Sequence, residues 1–345
     1  PHVPTEAPCT HPVAPLALRY RSLVVAEPVH AFVERALYGP EGFYEHGGRA
    51  GRRGASFVTS PEVGPLFGAV LARALDRWWE DAGRPGEWVV VDAGAGPGTL
   101  ARAILAAEPA CAGALRLVCV ERTAAQRELH PEGVASTDRL PETADVIVAN
   151  ELLDNLAFDL LERTDDGWVP VEVLPDGSTR PDTAGPRVPV AAAAAAWVTD
   201  ARRRLRPHGR LVCFDYADTT AALAARPWTD WVRAFAGHEL IPDPFAQPGT
   251  RDVTVVVPWD QLPTPDRSTE QAAWLAEHGI DELVAEGIAH WEAHAAAPDL
   301  TAMRMRSRVR EAEALTDPAG LGGFWVGEWR PGLPAAAAER VTEAH

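Results

Sequence analysis

This sequence predicts an α/β fold: an open, mostly parallel seven-stranded sheet with helices on both faces. Three observations carry that prediction. Short apolar runs of strand length alternate with helix-length amphipathic runs from residue 88 to residue 330. The first run, Val89-Val90-Val91-Asp92, ends in the turn Gly94-Ala95-Gly96-Pro97-Gly98, and a helix follows over 99–107. A second run, 115–120, ends in an acid, Glu121.

The elements follow in order. Residues 1–15 are rich in proline and read as disordered. Residues 16–87 read as a helical lid: a helix at 29–37, a turn at 38–44 and a basic Gly/Arg loop at 47–54. The segment Ser56-Phe57-Val58-Thr59-Ser60-Pro61-Glu62 then leads into a helix at 63–81. Thr59 or Ser60 suits its cap, and Pro61 and Glu62 suit its first turn. An α/β domain spans 88–330, with strands expected at 88–92, 115–120, 134–136, 145–149, 211–216, 253–257 and 324–327. Between them lie a hairpin at 160–173 turning on Asp165-Asp166-Gly167, a linker at 174–190 and an alanine-rich helix at 190–205 that stops at Pro207-His208-Gly209. An irregular stretch covers 217–250, and helices are expected at 269–279 and 281–313, the latter interrupted near Pro298. Insertions therefore fall near 156–190, 217–250 and 265–320, and the tail 331–345 reads as frayed. Right-handed crossovers put ligands beyond the carboxyl ends of the strands. Asp92, Glu121, Asn150 and Asp215 then share one rim.

Composition narrows the function. Lys and Arg total 32 against 49 Asp and Glu, a net charge of −17, which disfavours nucleic acid and anionic membranes as partners. Lysine is absent throughout, which excludes Schiff-base chemistry and a Walker-type phosphate loop. Cys9, Cys111, Cys119 and Cys213 show no zinc-ligand or redox spacing. No metal site is expected, since His290 and His294 lack the H-E-x-x-H order and a third ligand. With no signal peptide or membrane-length apolar run, a reduced, cytoplasmic protein is the expectation.

The turn after the first strand has the spacing G-x-G-x-G, with Thr99 where a dinucleotide loop carries its third glycine. Its glycines let a ligand approach the backbone. S-adenosylmethionine (SAM) brings a sulfonium and an ammonium but no phosphate, so an acid-flanked turn suits it. Glu121 is placed to accept hydrogen bonds from ribose hydroxyls. A dinucleotide site and a ligand-free turn are the alternatives. The chain's only two asparagines, Asn150 and Asn155, frame Asn150-Glu151-Leu152-Leu153-Asp154-Asn155 at the end of the fourth strand. Asn150 and Glu151 would face the reacting centre. Ser60 and Glu62 would reach it only if their segment folds back over the sheet.

Several of these segments together resemble the MidA-like class I SAM-dependent methyltransferases, relatives of the mitochondrial complex I assembly factor that methylates a protein arginine. The matching residues are Gly39-Pro40-Glu41-Gly42-Phe43-Tyr44, the Ser56 to Glu62 segment with Leu66-Phe67-Gly68, and Val91 to Leu100. Ala149 to Asp154, Asp215-Tyr216 and Arg251-Asp252-Val253-Thr254 also match. The resemblance implies a SAM site built from Ser60, Pro61, Glu62, Asp92, Gly94, Gly96, Gly98, Glu121 and Asn150. It implies an acceptor side of Asn150, Glu151 and Asp154, with Glu62 available as a second carboxylate. S-adenosylhomocysteine (SAH) would be the product and a protein arginine nitrogen the acceptor. A small metabolite, or a SAM-fold assembly protein without turnover, stands as the alternative, and a homodimer is compatible with either. The family continues its N-E-x-x-D motif with Ala-Leu-Pro; here Asn155-Leu156-Ala157 follows, beside the acceptor.

Overall fold

The computed structural model describes residues 26–45, 59–236 and 239–331. The expectations for residues 1–15, the 47–54 loop, Ser56 to Val58 and the tail from 332 onward lie outside the described residues.

Seven strands form the main sheet: β1 (Trp88–Ala93), β2 (Leu115–Val120), β3 (Ala135–Thr137), β4 (Ala144–Asn150), β5 (Leu205–Asp215), β6 (Arg267–Glu270) and β7 (Trp325–Trp329). Their order is β6-β7-β5-β4-β1-β2-β3. Pairings from β5 through β3 are parallel, and β7 runs antiparallel to both β5 and β6. Strand order therefore reverses between β1 and β4, which opens the crevice beyond their carboxyl ends. The expected class holds, and β1, β2, β3 and β4 lie within a residue or two of the sequence reading.

Burial on both faces accounts for the unbroken apolar strands. One core packs helix α3 (Pro65–Asp81), helix α4 (Thr99–Ala106) and Trp274 against one face of the sheet. A second packs helix Ala192–Arg203 and Trp259 against the other. A third core joins α1 (Val29–Tyr38) to Phe158, Leu160, Trp231 and Val253. The first helix of the expected lid is thus anchored on the insertions, beside the sheet's rim.

Several boundaries differ from the sequence reading. The run at 253–257 is not a strand of the main sheet: Asp252–Val255 pairs antiparallel with Val232–Ala236 in a separate three-stranded sheet. Its place is taken by Arg267–Glu270, a polar edge strand whose alternating burial gives no apolar signal. The 174–190 linker carries the strands Thr179–Arg180 and Arg187–Val190, and the irregular 217–250 stretch contains a hairpin arm. Strand β5 begins at Leu205 and runs through Pro207 to Gly209, with a register shift between Leu205 and Arg210. The helix expected at 63–81 is broken at Gly64 into α2 (Ser60–Val63) and α3. Pro65 cannot donate a backbone bond there. A β-carbon on Gly64 would lie 2.3 Å from the Glu311 carboxyl carbon.

Candidate active site

The glycine turn that closes β1 lies against the carboxyl end of β4. Gly94, Gly96 and Gly98 all have positive φ, at 71°, 50° and 79°. They serve two purposes. Among the described residues, nothing lies within 4 Å of a β-carbon built on Gly96, so a side chain there would enter open space. At Gly98 a β-carbon would meet Pro131 at 2.9 Å, so that glycine serves packing and the entry to α4. His130 holds the turn from outside. Its Nε2 is 2.9 Å from the Gly96 carbonyl oxygen and its Nδ1 2.8 Å from Ser136 Oγ. A carbonyl only accepts, so Nε2 carries the hydrogen in the neutral ring.

A cavity of about 330 Å³ opens over this turn. Asp92, Gly94, Gly96 and Glu121 line it from the sheet, and Asn150 and Glu151 from the end of β4. Tyr38 and Tyr44, at the end of α1 and in the turn after it, and Thr59, Pro61 and Glu62, at α2, close it. The fold-back that the sequence requires of the 56–62 segment is present from Thr59 onward. The Glu62 carboxylate accepts the Thr99 hydroxyl at 2.8 Å. Glu121 accepts the backbone N–H of Gly96 at 3.0 Å and that of Thr123 at 2.9 Å.

Three of the expected residues stand behind the cavity wall. Ser60 is fully buried, and its hydroxyl donates to Gln271 rather than facing a ligand. Gly98 packs on His130 and Pro131. Asp154 is 2 % exposed and accepts the Tyr216 hydroxyl. Its neighbour Asn155 takes the place in the wall.

Glu151 is held in a left-handed conformation, φ 51°, at the end of β4. A non-glycine residue there is strained, a condition that clusters at functional sites. Its backbone N–H donates to the Phe214 carbonyl. Its Oε1 accepts the Asn150 amide at 3.0 Å and the Ser60 N–H at 3.2 Å. Its Oε2, like Asn150 Oδ1 and Asp92 Oδ2, is buried and accepts no hydrogen bond from the described residues. Three residues of one cavity wall thus keep an acceptor oxygen waiting for a donor, an arrangement that is costly unless a ligand supplies it.

The charge balance here is one-sided. Glu151, Asp154, Asp215 and Asp252 cluster beneath the end of β4, and among the described residues none of them forms an ion pair. Burial pushes the Glu151 carboxyl up to about 8, with Asp154 adding to the rise. It raises Asp92 to about 7, with Glu121 contributing, and Asp252 to about 6. Asp154 and Asp215 are raised by the same desolvation. Carboxyls without a counter-cation hold their protons more tightly.

Sequence reasoning missed the aromatic side of the cavity. The Tyr38 ring stacks on Tyr44 with centroids 5.4 Å apart, and the Arg122 guanidinium lies 4.3 Å from its centroid. Arg122 also pairs with Glu34 of α1. The Tyr44 hydroxyl reaches Asn155 Oδ1 at 2.8 Å and Asp252 at 3.0 Å. Tyr44 lies in the Gly39 to Tyr44 segment, so the signal was present as a motif without a role.

The residues present fit SAM: a turn with open space at Gly96, an acid at the end of β2, and acceptors at Asp92 and Asn150 that have no partner among the described residues and can meet donors on the ligand. Fold and site together define a class I SAM-dependent methyltransferase. The chain belongs to the family described as "Putative S-adenosyl-L-methionine-dependent methyltransferase", which matches residues 70–184 and 172–276, and its motifs are those of the MidA-like methyltransferases. Mouse mitochondrial protein arginine methyltransferase NDUFAF7 is 24% identical over 310 residues, covering 73% of this chain and 71% of its own. The Xenopus laevis protein of the same name is 26% identical over 286 residues, covering 66% and 64%. A Burkholderia thailandensis crystal structure with bound S-adenosyl-homocysteine superposes with a TM-score of 0.69 at 26% identity, covering 88% of this chain and 87% of that one.

Proposed function

We propose that this methyltransferase acts on a guanidinium nitrogen, with a protein arginine side chain as the acceptor. The observation that carries this reading is the Glu151 carboxyl in the cavity wall, one oxygen fixed by Asn150 and Ser60 and the other without a donor among the described residues. A guanidinium offers a planar fork of N–H donors and the positive charge that the Glu151, Asp154 and Asp252 cluster lacks. The arginine methyltransferases named above support the same acceptor.

Bound SAM supplies an activated methyl group on a sulfonium. The protein's part is positioning and electrostatics. Glu121 and the glycine turn hold the nucleoside end, and the Asp92 side of the crevice receives cationic donors. Glu151 orients the acceptor nitrogen and concentrates the cation's charge away from it. In its carboxylate form, it accepts the proton that the nitrogen loses on methylation. A carboxyl raised to about 8 by burial suits that exchange. A guanidinium bound beside it supplies the missing cation and draws its proton affinity down.

The test is incubation with methyl-labelled SAM and a lysate of the source organism, with Gly96→Val as the control. Label in a discrete protein, mapped to an arginine, is the expected result. Label confined to small molecules would move the acceptor to a metabolite. No label, with SAH binding intact, would favour an assembly role without turnover.

A further inference from the structure

Glu151 is steadied from a distance. The Ser60 backbone N–H donates to Glu151 Oε1 at 3.2 Å, and the Ser60 hydroxyl donates to Gln271 Oε1 at 3.0 Å. The Gln271 amide nitrogen donates in turn to the Leu315 carbonyl at 3.1 Å. Ser60 and Gln271 are both fully buried. Helix Gln271–Glu277 begins at Gln271, and Leu315 lies near the end of helix Leu300–Thr316. The second of these helices also holds the segment through Glu311, which accepts the Leu66 N–H at 2.9 Å and fills the space beside Gly64.

We infer that Gln271 is a positioning residue for methyl transfer. It fixes the Ser60 turn, and through the Ser60 N–H it sets the orientation and proton affinity of Glu151. The helical insertion between β6 and β7 thereby reaches the acceptor side of a cavity that it does not line. Burying an amide in a core is costly unless its oxygen and its nitrogen are both hydrogen-bonded, and both ends of Gln271 are. Its two bonds fix the one turn that carries Ser60, Pro61 and Glu62. The inference rests on the reading of Glu151 as the acceptor-side carboxyl. The groups that face Glu151 are Asn150, Ser60, Asp154, Asp252 and Asp215. Among the described residues, only Asn150 and Ser60 donate to it. Loss of the Ser60 bond therefore leaves its carboxylate with less support.

The experiment follows the Glu151 carboxyl resonance by NMR in uniformly 13C-Glu-labelled protein, assigned by its absence in Glu151→Gln. Titrations compare wild type, Ser60→Ala and Gln271→Ala, with SAH affinity as the check on folding. The expected result is a titration midpoint raised by roughly half to one pH unit in both variants, with SAH affinity within about twofold of wild type. An unmoved midpoint in Ser60→Ala would overturn the inference, and that variant decides alone if Gln271→Ala does not fold. Turnover of Glu151→Gln separates the two readings. Full turnover there with shifted midpoints in the other variants would keep the relay and remove Glu151 from the acceptor site.

Discussion

Glu62 accepts a hydrogen bond from the Thr99 hydroxyl at 2.8 Å, and so joins α2 to the first residue of the helix that follows the glycine turn. Thr99 stands where a dinucleotide loop carries its third glycine. Its hydroxyl is used to pin a segment that closes the cavity. Glu62→Ala removes this tie and one carboxylate from the wall. SAH affinity should fall about tenfold, the scale of one hydrogen bond to a charged group, with the fold intact by circular dichroism. Unchanged affinity in a calorimetric titration would take α2 out of the cofactor site.

Gly96 and Gly98 should fail in different ways. A valine at Gly96 projects into the open space of the cavity, and its φ of 50° suits a branched side chain poorly. SAH binding should be lost. A valine at Gly98 would press on Pro131 at a φ of 79°. It should cost roughly 2–3 kcal/mol of stability. Both variants carry the strain of a positive φ, so paired thermal melts and SAH titrations are needed, and SAH affinity retained in Gly96→Val would contradict the division of roles.

Glu151→Ala should leave SAH affinity near wild type and lower turnover about a hundredfold, as loss of a positioned electrostatic group does. The carboxylate touches the acceptor side and shares no hydrogen bond with the glycine turn. Single-turnover measurements with labelled SAM read the effect directly. A variant with normal rates would show that the unpartnered oxygen of Glu151 has another purpose.

Much of this was legible because the physics was local. The β1 run, its glycines and the acid ending β2 announce themselves through burial periodicity and backbone permissiveness. The rare asparagines mark the end of β4. Arg267–Glu270 was not legible, because an edge strand beside β7 needs no apolar run. Asp252–Val255 misled for the opposite reason: its apolar residues belong to the third core, and periodicity cannot say which core a strand enters. Asp154 and Ser60 illustrate a finer limit. Their motifs locate them near the site, but only the turn of Leu153–Asn155 and the packing of Gln271 decide that both point away from the cavity. Tyr44 and Gln271 act across more than a hundred residues, beyond any local pattern.

The raised carboxyls carry a prediction for stability against pH. Glu151 and Asp92 bind protons up to about 8 and about 7 in the folded protein. In the unfolded chain they release them near their ordinary values, around 4. Between those limits the folded state binds more protons than the unfolded state, so stability falls as pH rises. The contribution is complete below the unfolded values and is lost as pH passes the folded ones. Tm should therefore drop by roughly 5 °C or more between pH 5 and pH 9. Glu151→Gln should flatten that slope. A Tm that climbs through this interval would contradict the raised values.

Asn155 and Tyr44 should govern the acceptor rather than SAM. The Tyr44 hydroxyl bridges Asn155 and Asp252, and all three come from different segments: the turn after α1, the loop after β4 and the inserted sheet. Tyr44 and Asn155 line the cavity, and neither contacts the glycine turn through a hydrogen bond. Asn155→Ala removes one of the two acceptors that the Tyr44 hydroxyl reaches, leaving Asp252, and opens the cavity wall at that point. The KM for the acceptor should rise about tenfold, the loss of roughly one hydrogen bond, while SAH affinity stays the same. Tyr44→Phe deletes the same link from the other side, and the double variant should be no worse than either single one. Additive losses would mean that the two side chains act on the acceptor separately.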